Sequence, residues 1–299
     1  MLLRVLGTAA GGGLPQWNCA CPGCSGARRH PTRRRLHDGL AVHASDTGSW
    51  FLANATPDIA EQIEADTGLR PSPGHQRTPV VRVVLTDAEL DHTLGLLRLR
   101  EAAHIEVWAT PQVRQALETR LHLDEILAHY TKLTWNDLPL VRDGAPADIA
   151  GLHVSAVPLS AKRPRYATDA PAHPAWSVAL HVRDPLTGGT ALYAPALATW
   201  SADLAEQTAA ADCVLIDGTF FDDDEPRRTG ISQRTASGMG HLPIDGPRGT
   251  ARHLKHLAGR CYYTHLNNTN PLTDPDAPQH AWLARLGLAV AEDKMVISL

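Results

Sequence analysis

The sequence predicts a mixed α/β protein in which two β-sheets lie face to face with helices packed outside them. Three observations carry this expectation. Short apolar, β-rich runs recur along the whole chain, the earliest of them follow one another with no helix between, and later ones are separated by helical stretches. A simple doubly wound sheet would alternate strand and helix from the start. The runs lie at 2–6, 40–43, 50–53, 80–85, 105–109, 152–157, 177–182, 191–194, 213–216, 260–264 and 295–297. Helical stretches fall at 57–67, 92–103, 111–122 and 202–210. No internal repeat interrupts the pattern, so residues 1–299 are expected to form one domain.

Composition narrows the function. Hydrophobic residues make up 43% of the 299 residues and charged residues 20%, ordinary values for a chain with a sizeable core. Net charge is −4, and the one concentrated basic run, 28–35, has no interleaved aromatics, which argues against nucleic acid as a partner. The first residues enter a strand-like run with neither a charged leader nor a long apolar stretch. No window reaches the roughly 18–20 apolar residues of a membrane helix. The expectation is a cytoplasmic protein without membrane insertion. Five cysteines, three of them within six positions, suit metal binding better than a disulfide framework.

Three segments, 11–35, 161–176 and 221–250, resist regular assignment, and long irregular segments in compact domains usually carry function. The first holds Trp17-Asn-Cys19-Ala-Cys21-Pro-Gly-Cys24. Thiolates one and three residues apart on a turn close readily around one soft cation, and tetrahedral zinc is the expected guest. Cys213 and Cys261 sit inside apolar runs and read as core. The second segment is rich in proline and basic residues. The third holds the acidic run 222–225 and His241, flanked by Gly238 and Gly240, where a flexible loop brings an imidazole toward a substrate.

Two strand ends carry further donors. After the run 80–85 come Asp87, Glu89, Asp91 and His92; after 260–264 come His265, Asn267, Asn268 and Asn270. Taken alone, the first group also reads as an acidic helix start and the second as a structural histidine. If His265 meets Asp91 and His92 in space, two imidazoles and one carboxylate result, the facial set associated with non-haem iron and open coordination positions.

Segments spread over nearly the whole chain resemble the PqqB family of pyrroloquinoline quinone biosynthesis, a branch of the metallo-β-lactamase-fold superfamily. They are 9–13, 15–19, 54–58, 91–97, 192–195, 217–219, 239–242 and 265–271. The resemblance implies an αββα sandwich of two mixed sheets flanked by helices. Superfamily members usually show His-x-His-x-Asp-His, whereas Asp87 and Glu89 stand here in place of the leading histidines. The resemblance keeps Asp91, His92 and His265 as ligands of one metal. It finds no bridging aspartate at Ala194-Pro195-Ala196, and it implies an iron (Fe²⁺) and oxygen-dependent hydroxylase of a tyrosine-derived precursor. A non-catalytic carrier for the cofactor or its precursor and a zinc-dependent hydrolase are the alternatives. Cys19, Cys21 and Cys24 match the structural zinc site of related branches, whose fourth ligand is a late histidine; three residues past His265 the chain has Asn268. His241 is expected in the substrate pocket but not on the metal.

Overall fold

The computed structural model describes residues 1–45, 49–71, 74 and 80–299. With strands numbered in chain order, one sheet contains β1 (Leu2–Gly7), β2 (Gly39–His43), β3 (Trp50–Ala53), β4 (Val80–Val84), β5 (His104–Ala109) and β6 (Lys132–Asp137). The other contains β7 (Ala147–Ile149), β8 (Leu152–Ser160), β9 (Ser177–Arg183), β10 (Thr190–Ala194), β11 (Cys213–Asp217), β12 (Arg260–Thr264) and β13 (Leu288–Val290). The last strand, β14 (Val296–Ser298), returns to pair with β1, giving seven strands per sheet.

Each sheet is antiparallel in its first half and parallel in its second. In the first sheet the pairs β1–β2 and β2–β3 are antiparallel, then β3 to β6 run parallel. In the second, β7 to β10 are antiparallel and β10 to β13 parallel. Parallel neighbours need a crossover, and the helices supply it. Ile59–Ala65, Pro111–Arg120, Ala202–Ala210 and Pro278–Arg285 lie in these connections.

The strands bury both faces, which accounts for their near-continuous apolar sequences. Phe51 and Ala53 of β3 point into the core between the sheets, together with Val178, Leu180 and Val182 of β9. The alternate residues Leu52 and Ala179 face the outer helical layers. This is the four-layer αββα arrangement expected from the sequence.

Several elements differ from the sequence reading. The predicted helix at 92–103 begins at Leu90 and breaks into two single turns, Leu90–Thr93 and Gly95–Arg98. Within the supposedly irregular 11–35 a helix, Pro22–Arg29, opens on Cys21, whose sulfur accepts a bond from the Cys24 amide; Pro22 suits the first helical position. Strand β6 was unforeseen because its alternate residues stay partly exposed at a sheet edge.

The two sheets are joined where β1 ends. The Thr8 and Ala9 amides donate to Leu36 O at 3.0 and 2.9 Å, and Asp38 N donates back to Ala9 O at 2.8 Å. From the other sheet Leu266 N donates to Thr8 O (2.8 Å), and Ala10 N donates to Leu266 O (2.9 Å). Buried Asp38 is held between Tyr193 of β10, whose hydroxyl donates at 2.6 Å, and the Thr264 hydroxyl of β12.

The break at Gly95 is a close approach. Its amide donates to Ala55 O at 2.8 Å, and a β-carbon there would lie 2.2 Å from Thr56 O. Helix propensity alone predicts that Gly95→Ala stabilises by about 1 kcal/mol. The contact predicts the opposite: a loss on the order of 1–3 kcal/mol, read as a lower Tm in thermal melts.

Candidate metal centre

The site lies at the carboxyl ends of the parallel strands β4, β11 and β12, where α/β sheets commonly gather ligand-binding side chains. Beyond β4 the chain turns at Thr86, whose amide and hydroxyl both donate to Asn54 Oδ1 (3.0 and 3.1 Å). Asn54 itself has a left-handed backbone, φ 68°. Asp87 follows, buried, accepting from the Glu89 amide at 2.9 Å. Its two oxygens lie 2.9 and 2.8 Å from His92 Nδ1, so Nδ1 donates to the carboxylate and Nε2 is the nitrogen turned toward Asp91 and His265.

Asp91, His92 and His265 converge. His265 Nε2 lies 3.4 Å from Asp91 Oδ2, His92 Nε2 lies 3.8 Å from the same oxygen, and the two rings sit 5.3 Å apart. Both Nε2 atoms are buried and lack hydrogen-bond partners. Buried polar atoms without partners are costly, so two of them facing one carboxylate fit a group that could hold a cation. His265 is held by a hydroxyl rather than a carboxylate, Thr219 Oγ1 at 2.9 Å from its Nδ1, and its backbone is left-handed at φ 57°.

Electrostatics agree with that fit. Burial opposes ionisation of Asp91, but His92 and His265 hold its carboxyl far below the usual carboxylate range. Burial likewise opposes the charged form of His92, yet Asp87 and Asp91 draw its pKa upward. His265 rises for the same reason, against burial and the neighbouring His92. A divalent cation would take over the role these protons play.

A second cluster brings Asp217, His241 and His265 together. Donor accounting sets it apart from the first. Asp217 Oδ1 accepts from the Thr219 amide (2.9 Å) and hydroxyl (2.5 Å), while Oδ2 accepts from the Leu197 amide (2.8 Å) and lies 2.7 Å from His241 Nδ1. With both oxygens engaged, Asp217 orients His241 as Asp87 orients His92. The His241 ring stacks on that of His265, centroids 5.9 Å apart. His241 therefore stands beside the first cluster with Nδ1 anchored.

The three cysteines also meet. Asn268 Nδ2 sits 3.1, 3.4 and 3.3 Å from the sulfurs of Cys19, Cys21 and Cys24, capping the thiol group. Turning the amide over presents its oxygen in the same place, so three sulfurs and one amide oxygen can complete a tetrahedral zinc site. Burial pushes the Cys21 thiol up to about 11, while bonds from Cys21 and Asn268 outweigh burial and lower that of Cys19. Cys213 and Cys261 are buried in the core, away from this group.

Comparison with known proteins sharpens the picture. Residues 49–266 match the β-lactamase superfamily domain. Coenzyme PQQ synthesis protein B of Azotobacter vinelandii is 41% identical over the full length of both chains, as is that of Azoarcus sp.. The chain belongs to the PqqB family. Zn²⁺-bound PqqB from Methylobacterium extorquens is 32% identical, superposes with a TM-score of 0.89 and is covered end to end. A diphosphatase of the PhnP family, 17% identical with a TM-score of 0.69, shares the fold.

Within this PqqB-family chain, sequence reasoning sought a bridging aspartate at 194–196 and passed over Asp217. The signal was present: Asp217 ends the apolar strand β11, the same strand-end position that drew attention to residues 87–92 and to His265. Asp87 stood in sequence as one strand-end donor among several and as a replaced ligand, and its orienting bond to His92 emerges from the fold.

Asp87→Asn removes the carboxylate that orients His92. It should weaken metal binding at Asp91, His92 and His265 by roughly 10–100-fold in a chelator competition titration while leaving cysteine-bound zinc in place. Cys21→Ser should lower zinc content and Tm together, and Asn268→Ala should lower both by a smaller amount, measured by elemental analysis and thermal melts.

Proposed function

We propose that this chain acts in pyrroloquinoline quinone biosynthesis as an iron- and oxygen-dependent hydroxylase of a small or short-peptide tyrosine-derived precursor. The observation that carries the reading is the trio of Asp91, His92 and His265, with two buried Nε2 atoms left without partners. Three donors leave adjacent positions open, as oxygen and a phenol require. The names of its relatives support the pathway. Bound iron would supply the activation of oxygen.

The chain's own residues then have separate tasks. Asp91, His92 and His265 hold the metal, and Asp87 and Thr219 fix the two imidazoles. His241, anchored through Nδ1 by Asp217, serves as proton acceptor or donor for the phenol. Replacing an aromatic C–H by C–OH takes one atom of O₂, sends the other to water and requires two electrons from an external reductant. Cys19, Cys21, Cys24 and Asn268 form a structural zinc site, closed and separate from the reacting cluster. Residues 1–299 act as one domain, since both sheets contribute to the same central core. No helix among the described residues is long and apolar enough to cross a membrane, consistent with work in the cytoplasm.

The test is anaerobic loading with Fe²⁺ followed by oxygen, a reductant and a tyrosine-derived substrate, with product mass and oxygen uptake recorded together. Hydroxylated product is expected from the native chain. His92→Ala and His265→Ala should abolish it and release the iron. His241→Ala should retain iron and lose roughly 10²–10⁴-fold in rate. Stoichiometric binding of the quinone without oxygen uptake would make the protein a carrier, and ester cleavage restored by zinc after chelation would make it a hydrolase.

A further inference from the structure

The proline-rich basic segment 161–176 has no part in the metal chemistry, yet it is fastened to the loops on both sides of the site. Tyr166 donates its hydroxyl to Ala88 O at 2.5 Å, binding the segment to the loop that carries Asp87, Asp91 and His92. On the opposite wall the Lys162 stem covers Gly240, beside His241. Gly240 has φ 92°, and a β-carbon there would lie 2.7 Å from Lys162 Cδ. The backbone there favours glycine, and its lack of a side chain leaves room for the lysine stem to lie on it. Lys162 thus spans the gap between the two loops that hold the reactive side chains.

Its ammonium ends 3.7 Å from Glu89 Oε1, with the two side chains 40% and 35% exposed. An ion pair that long and that exposed contributes little to stability. A half-exposed ammonium paired this loosely with Glu89, beside the loops that carry His92 and His241, can exchange that carboxylate for one on an incoming molecule.

We propose that Lys162 is the substrate-anchoring residue of this site and that a substrate carboxylate displaces Glu89 from it. The anchored carboxylate holds the far end of the molecule while its phenol faces the metal ligands and His241. The inference rests on the phenolic substrate proposed above and adds that the substrate must be an anion. Lys162 is a specificity determinant, acting on binding, while Glu89 serves as a placeholder that competes with substrate.

The placeholder role gives opposite signs to two substitutions on one ion pair. The protein loaded with redox-inert Zn²⁺ at both sites would be titrated, at low ionic strength, with 3-(4-hydroxyphenyl)propionate and with its uncharged amide. The native chain should bind the acid about five-fold or more tighter than the amide, a preference that fades with added salt. Lys162→Met should erase the preference, Lys162→Arg should retain most of it, and Glu89→Gln should enlarge it. In turnover, Lys162→Met should raise KM and leave kcat nearly unchanged. If Lys162→Met and Glu89→Gln shift binding in the same direction, the pair is structural and the proposal falls. It falls equally if the acid keeps its preference in Lys162→Met, because the carboxylate then binds the metal itself. An intact preference in a protein that never hydroxylates would overturn the reaction proposed above and leave the anchor standing.

Discussion

Everything at the site depends on the short seam at residues 8–10, which is hydrogen-bonded to one sheet through Leu36 and Asp38 and to the other through Leu266. Each sheet alone ends in loops that carry donors. The seam brings the exits of β4 and β12 together, and the Val178 amide of β9, donating to Thr86 O at 2.8 Å, ties the exit of β4 to the second sheet as well. Buried Asp38 reinforces it, taking bonds from Tyr193 and Thr264 one residue before His265. Burial pushes the Asp38 carboxyl up, with His265 the main influence in the other direction. A backbone joint supported by a satisfied carboxylate gives the His265 loop a fixed starting point despite its left-handed first residue.

From that joint the two halves follow the same plan. In each, a carboxylate at a strand end receives several hydrogen bonds and presents an imidazole by its Nδ1: Asp87 for His92 in the first sheet, Asp217 for His241 in the second. The difference lies in what the other nitrogen meets. His92 faces Asp91 and His265, while His241 stacks beside His265; in the proposed reaction the first imidazole ligates and the second handles protons. Glu225 ties the loops of the second half together. It is buried, accepts from the Phe221 amide and the Thr269 hydroxyl, and has a carboxyl pushed up to about 7 by burial.

The αββα layering was legible in the sequence because strands buried on both faces read as unbroken apolar runs, and the crossover helices Ala202–Ala210 and Pro111–Arg120 carry clear periodicity. The convergence of Asp91, His92 and His265 followed from strand-end position together with family resemblance. The strand-end position of Asp217 was legible but its task was not, because an aspartate ending a strand looks the same in sequence whether it ligates, orients or caps. Nor was the seam at 8–10: it consists of backbone hydrogen bonds, which any side chains can make. Lys162 was visible only as one basic residue among several, since its place over Gly240 is a product of tertiary packing.

The cysteine site carries a consequence for biosynthesis. Asn268 is 244 residues beyond Cys24 in the chain and 249 beyond Cys19. During synthesis the three thiols leave the ribosome long before their amide cap exists, and they remain exposed to oxidants and competing cations until nearly the whole chain has been made. Closure of the thiol group therefore marks the docking of the last parallel strands. The same loop that delivers Asn268 begins with His265, so a nascent chain cannot complete the cysteine cap without also delivering the last imidazole of the neighbouring cluster.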